Sequence, residues 1–470
     1  MTTFGLAQWW EPHAPAGRIA GTLFHDDTGS VRLSLDGHFP VPLQNGECAA
    51  DGIPRPVSPP MSDIPMLVGV TSEGKYITLI DCRVVKASGI PGFTKTSQEI
   101  KPELVAYDVH CGCPEEFRLT SLWVRYSNLD EWASTSGFKA AITETQPYRV
   151  SMEYVKPEPI RAVLSNGLRV GVGFSATGPD YARLYREMRM EQAAWLTIDS
   201  TEERPYDELI RVLTLFADLV ALGIGQPLRP LELQAGALDL DSGKSVHFDL
   251  YHNAKPIAPV LPDIDAPWML FTLTDLQTSF TKTLETWCIQ QERIQPLYGL
   301  YFGTLRSQSM YVEHRFLNMF QALEAFDRRD HVMPPEKLEK HNLRLDRIFQ
   351  AAGNTHDRKW LKRHLRYSHE PAAVDRLRRL IAKYDAAWVF DDLRREPELA
   401  ANLRNFYTHY DRKLEPSLPP EHERPRIMHN LATRLQLLCE VILLTEIGFT
   451  GDQIKQRMNE THRLERRLAK

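Results

Sequence analysis

The apolar residues of this chain change their period once. Up to about residue 200 they fall in short runs punctuated by Gly, Pro, Asn and Asp, and from about residue 291 they recur every three or four positions. Alternation at a period of two builds strands with one buried face, whereas the three-to-four spacing builds helices with one apolar stripe. A single switch of this kind, without repeated βα units, argues against a doubly wound parallel sheet. The expected fold class is α+β and multidomain: an antiparallel β-rich N-terminal region with a small α+β extension, then an all-α helical bundle. A length of 470 residues accommodates two or three cores.

The β pattern is clearest in pairs. Residues 19–24 and 31–35 flank Asp27-Thr28-Gly29, and 160–164 and 168–174 surround Ser165-Asn166-Gly167. Both predict hairpins, the second strongly, because Asn-Gly accepts the positive φ of a tight turn. Further strands are expected at 76–80, 104–109, 119–126 and 148–155, implying a sandwich or barrel over 1–199. Ser200-Thr201-Glu202-Glu203 has the spacing of a capping box, which predicts a helix start, and Leu209, Leu213 and Phe216 continue at helical spacing. Alternation returns at 231–233, 246–250 and 269–273, so 200–290 is expected to form the α+β extension.

Helices are expected at 311–328, 337–352, 357–366, 373–387 and 426–447, with Gly448 as a C-terminal cap. Another begins near Pro397 and carries Leu399, Leu403, Phe406 and Tyr410 as a core-facing stripe. The segment 291–470 therefore reads as one helical domain.

Net charge is −5, which hides two unlike parts. Residues 291–470 hold 32 Lys and Arg against 25 Asp and Glu, a balance of +7, and the preceding 290 residues carry −12. A basic helical module behind an acidic partner is compatible with polyanion binding, and equally with solvated helix faces. No apolar run approaches membrane-spanning length and no leader is evident, so the chain reads as cytoplasmic, without a membrane partner. Six scattered cysteines do not make a disulfide framework. His110, Cys111 and Cys113 form one tight group, but no second pair at zinc spacing accompanies them, so neither a metal nor another cofactor is expected.

One constellation carries chemistry. In Arg404-Asn405-Phe406-Tyr407-Thr408-His409-Tyr410-Asp411, Asn405 and His409 stand one helical turn apart, and Arg404 is close enough to curl toward His409. A histidine moves protons near neutral pH and a guanidinium grips phosphate oxygens through paired hydrogen bonds. Together they suit metal-free RNA cleavage, in which the 2′-OH attacks the adjacent phosphate. The bare spacing of Arg and His recurs seven times along the chain, so it does not by itself separate a catalytic His409 from a solvent-facing one. Arg404/His409 is distinguished by the adjacent Asn405 and by the stripe behind it.

Arg404-Asn405-x-x-x-His409 resembles the RNase motif of the HEPN superfamily. Residues 314–326 are similar to the upstream helix of the branch found in ApeA-type anti-phage proteins, and 438–449 to its last helix. Trp9-Trp10, Gly21-Thr22-Leu23 and Leu33-Ser34-Leu35-Asp36-Gly37 look like the ApeA N-terminal domain. The resemblance implies an endoribonuclease of abortive infection that cuts RNA, with tRNA anticodon loops as target and a phage-derived trigger. It also implies a homodimer or higher oligomer in which two motifs face each other. Arg404 would clamp the phosphate, His409 would be the acid or base, and Asn405 and Asp411 would orient them. Glu324 matches the upstream helix and would orient Arg404 or His409; its alternative is an exposed helix carboxylate. One departure is Asp327-Arg328, where a His is expected before the Arg. The competing reading is a non-catalytic HEPN scaffold for dimerisation or RNA binding, with the β region as the ligand- or partner-binding module.

Overall fold

The computed structural model describes residues 2–25, 30–39, 63–88, 97–144, 148–179, 186–238, 245–253, 261–307, 309–331, 333–410 and 412–468. They form two compact units, Met1–Ala217 with Leu228–Asp263, and Asp218–Pro227 with Ile264–Lys470.

The first unit is built on strands β1 (Thr2–Trp10), β2 (Ile19–His25), β3 (Val31–Leu35), β4 (Asp63–Thr71), β5 (Tyr76–Ser88), β6 (Ser97–Tyr107) and β7 (Arg118–Tyr126). These are followed by helix α1 (Leu129–Ala133) and by β8 (Phe138–Thr143), β9 (Arg149–Tyr154), β10 (Ile160–Val163), β11 (Arg169–Thr177) and β12 (Glu191–Pro205). Helix α2 (Tyr206–Ile224) leads to β13 (Pro230–Leu238) and β14 (Ser245–His252). Twelve strands make one sheet in the order β10-β11-β12-β7-β13-β14-β6-β3-β2-β1-β4-β5, while β8 and β9 pair separately. Every ladder is antiparallel.

The long strand β6 is where the sheet branches. One edge pairs with β5 along its length; the other meets β3 near Ile100 and β14 near Val105. The β5–β6 pairing closes β1 to β6 into a six-stranded barrel, and closure removes the unpaired edges that an open sheet would expose. Its interior holds Trp9, Leu23, Leu33, Leu67, Leu79 and Val105. Trp9 lies opposite Gly69 in the ladder and donates its indole N–H to the Gly21 carbonyl at 3.2 Å. A Cβ at position 69 would sit 2.5 Å from the indole ring, so glycine is what lets Trp9 lie flat there.

Both expected hairpins are present. β2 pairs with β3, with 26–29 outside the described residues, and β10 pairs with β11 around Gly167 at φ +85°. The capping-box expectation is not met: Ser200 to Glu203 lie within β12, and the helix starts at Tyr206. The Ser200 hydroxyl does satisfy a backbone donor, that of Glu202 at 3.2 Å, but inside an irregularity of the β12–β7 ladder. Pairing resumes at Arg204, so the sheet outcompetes the helical signal. The 269–273 alternation is also not a strand; it follows a 3-10 turn at Ala266–Trp268 and leads into a helix.

The helical unit begins earlier than the apolar pattern suggests, with α3 (Leu273–Leu276) and α4 (Phe280–Arg306), which runs through Pro296. It continues with α5 (Val312–Asp330), α6 (Pro335–Ala351), α7 (Thr355–His364), α8 (Ala373–Lys383), α9 (Glu396–His409), α10 (Arg424–Glu446), α11 (Gly451–Glu460) and α12 (Arg463–Leu468). Helix α5 packs against α4, α8, α9 and α10 through Phe316, Met319, Phe320, Leu323 and Phe326, as its stripe predicts. Among the described residues, α10 with the turn before it is long and apolar enough to cross a membrane, and most of that apolar stretch is buried within the protein. It ends in a Schellman cap: Gly448, at φ +103°, donates to Thr445 and Phe449 to Leu444. Tyr410 does not join the apolar stripe. It caps α9 in the left-handed region, φ +50°, which breaks the 100° rotation and leaves its ring 69% exposed.

Candidate active site in the helical unit

Helix α9 sets the geometry. Pro397 stands in its first turn, and Ala400, Ala401, Leu403 and Phe406 bury one side, which fixes the rotation of the helix and turns Arg404 and Thr408 toward α5. Arg404 donates from Nη2 to Glu324 Oε2 at 2.7 Å and from Nη1 to Asn405 Oδ1 at 3.0 Å. Glu324 is largely buried, so it is not the exposed helix carboxylate of the alternative reading. Asn405 uses its carbonyl oxygen to brace the guanidinium from its own helix, and among the described residues the remaining Arg404 donors have no partner.

These side chains border a groove of about 430 Å³ lined by Leu317, Gln321, Glu324, Ala325, Arg328, Arg404 and Thr408. One wall is α5 and the other α9. Its lining combines the apolar Leu317 and Ala325 with two guanidiniums about one carboxylate, a pattern that suits an anionic ligand with an apolar face.

Behind Glu324, opposite charges alternate. Glu324 Oε1 meets Arg328 at 3.7 Å, Arg328 meets Glu370 at 3.1 Å, and Glu370 meets Arg376 at 2.8 Å. Arg376 also binds Asp327 at 3.2 Å, and Arg379 grips Asp327 with two bonds of 2.9 and 2.5 Å. Asp327, where the resemblance leads one to expect a histidine, is therefore a buried anion that ties α5 to α8 and stands away from the groove lining.

Of the residues singled out from the sequence, Arg404, Asn405 and Glu324 come together. His409 is the last residue of α9, not an interior one, and is exposed; among the described residues its ring has no hydrogen-bond partner. Asp411 lies outside the described residues. Arg328, Gln321 and Thr408 were missed, although Arg328 is one turn from Glu324, a spacing that signals an ion pair. Among the described residues no three His, Cys, Asp or Glu side chains cluster as a metal would require. Burial pushes the Cys111 thiol up to about 11, which leaves it protonated at neutral pH.

Comparison with curated proteins and with solved structures returned no match. The family model described as ApeA N-terminal domain 1 matches residues 6–287, and that described as Apea-like HEPN matches residues 317–453, which contain the whole groove. HEPN domains are generally ribonucleases that bind RNA and dimerise. With both models in this order over most of its length, the chain belongs to the ApeA family and has the architecture of an anti-phage HEPN protein.

Proposed function

We propose that the helical unit is a metal-independent endoribonuclease of abortive infection, and that Arg404, His409 and Asn405 carry its chemistry. The observation behind this reading is the Arg404 guanidinium, fixed on two sides by Glu324 and Asn405 yet open to a groove. A guanidinium held in place before the substrate arrives stabilises the charge of a pentacoordinate phosphorane without reorganising.

In the proposed reaction a base takes the proton of the ribose 2′-OH, the 2′ oxygen bonds to phosphorus, and the bond from phosphorus to O5′ breaks. An acid protonates the departing O5′, leaving a 2′,3′-cyclic phosphate and a 5′-OH. His409 supplies one of these proton transfers. Its exposure at the end of α9 favours a composite site, in which the motif of a second copy completes the pair. The substrate class is RNA, with tRNA anticodon loops as the specific target, and Asp411 is a further orienting residue.

The acidic N-terminal region senses a phage-derived signal or restrains the nuclease. Its support is the opposite charge of the two parts of the sequence. Incubation of the full chain with total tRNA in EDTA tests the catalytic reading. Discrete fragments ending in 2′,3′-cyclic phosphate are expected, and His409→Ala should abolish them. Undiminished cleavage by that variant removes His409 from the mechanism.

A further inference from the structure

Helices α6 and α7 stand apart from the rest of the bundle because neither contains a buried residue. Such a pair is held by its corner and by surface contacts such as those of His341 with Ser368 and His369, not by a core. Arg358 makes that corner, donating from Nε to the Phe349 carbonyl at 3.0 Å near the end of α6, while the Asn354 side chain accepts from the Asp357 N–H at 2.7 Å to start α7. With so few folding requirements to meet, the sequence of α7 is free to serve another purpose.

That sequence is unusual. Residues 355–369 hold Arg358, Lys359, Lys362, Arg363 and Arg366 against the single carboxylate of Asp357. No carboxylate among the described residues pairs with Lys359, Lys362, Arg363 or Arg366, and all four are exposed. Aromatic rings are interleaved with them. Trp360 is half exposed and stacks on His364, with centroids 4.1 Å apart and planes 29° off parallel. Tyr367 is 60% exposed, with the Arg366 guanidinium 5.2 Å from its centroid. A solvated helix face needs cations but has no use for exposed Trp and Tyr, and an apolar protein contact has no use for unpaired cations. Both together are what a single-stranded nucleic acid engages: the charges follow the phosphates and the rings stack on the bases.

The strip is continuous with the groove. Glu370, whose N–H donates to the Tyr367 carbonyl at 3.0 Å, reaches Arg328 at 3.1 Å, and Arg328 lines the groove beside Arg404.

We propose that Trp360, His364 and Tyr367, with Lys359, Arg363 and Arg366, bind a single-stranded segment of the RNA substrate next to the Arg404 groove. This deepens the ribonuclease reading and rests on it for the identity of the ligand, but its test does not depend on cleavage. A labelled 2′-O-methyl RNA strand lacks the attacking hydroxyl, so the full chain can bind it without cutting it, whichever group moves the proton.

Fluorescence anisotropy over a salt series reads the affinity. Trp360→Ala and Tyr367→Ala should each weaken binding roughly tenfold or more. Combined Lys359→Gln, Arg363→Gln and Arg366→Gln should lower the slope of log Kd against log salt by about 2, at ~0.7 for each phosphate left without its cation. Since all these positions are exposed, the variants should melt as the wild type does, and Trp360→Ala carries the test by itself. Wild-type affinity and slope in the variants would overturn the proposal, as would failure of the full chain to bind the strand. So would weakened self-association in sedimentation with RNA binding intact, which would make the strip a contact between copies. Failure of the His409→Ala experiment together with these losses would leave the strip in place and remove only the catalytic assignment.

Discussion

The Arg404 guanidinium and the Glu324 carboxylate, eighty residues apart in sequence, meet at 2.7 Å across the groove between α9 and α5. The same carboxylate is shared with Arg328 on its own helix, so one anion aligns two cations that line the groove.

Glu324→Gln keeps the size of the side chain and removes its charge, which weakens one of the two bonds that hold Arg404 and lets its guanidinium shift. A displacement of about 1 Å at a group that must meet the transition state costs on the order of 100-fold in rate. Single-turnover cleavage should fall by that amount with little change in RNA affinity. An equal loss of affinity would mean that Glu324 shapes the binding surface instead.

Arg404→Lys separates charge from geometry. Lysine presents a point charge and cannot bond Glu324 and a phosphate through one rigid fork. Cleavage should drop roughly 100- to 1,000-fold, the usual loss for one preorganised donor, while the salt dependence of binding stays near that of the wild type. Retention of full activity would show that a positive charge alone suffices.

How much of this was legible in the sequence depends on how local the cause is. The Gly167 turn, the α5 stripe and the Gly448 cap follow from residues within one turn or hairpin, and they appear where expected. The Ser200 to Glu203 segment carries a helical signal and yet belongs to a strand, because its flanks, Asp199 and Arg204, pair with β7, some eighty residues earlier. Closure of the barrel through β5 and β6 is likewise a long-range outcome. At the site, Arg404 and Asn405 are adjacent and could be seen together. The contribution of Arg328 needs the α5–α9 packing to appear, and the loss of Tyr410 from the core follows from a single left-handed residue.

Asp327 should behave as a structural anion. It is 2% exposed and faces both Arg376 and Arg379. Asp327→Asn leaves two guanidiniums against a neutral group, a change that costs about 3 to 5 kcal/mol when a buried pair is broken. Asp327→His should be no milder, since a protonated imidazole would add a third cation. Thermal melting of the helical signal checks both, and a melt unchanged in Asp327→Asn would refute the role.

In the barrel, Gly69→Ala would drive a methyl group into the Trp9 ring. Overpacking of this kind costs about 1 to 3 kcal/mol. The expected result is an earlier loss of the near-ultraviolet signal of Trp9, with cleavage chemistry untouched. Coincident loss of RNA cleavage below the melt would show that the barrel influences the nuclease.

The last prediction concerns pH. Glu440 in α10 is fully buried and accepts from Tyr301 at 2.7 Å and Arg467 at 2.6 Å, with Arg463 at 3.3 Å. Burial alone would raise its carboxyl, but Arg463 and Arg467 outweigh that and hold it below the usual carboxylate range. A carboxyl depressed on folding binds fewer protons in the folded state than in the unfolded one, so its contribution is complete above about pH 4.3, the unfolded value. It is then lost as pH falls from there through the lower folded value. Glu440→Gln removes the contribution at every pH and leaves two buried cations, at a cost of about 3 to 5 kcal/mol near neutrality. The gap between wild type and variant in urea midpoint should therefore be constant from neutral pH down to about pH 5 and close below about pH 4. A gap that instead closes near neutrality would mean that Glu440 is already protonated there, and that the C-terminal helix α12 is held by hydrogen bonds without charge.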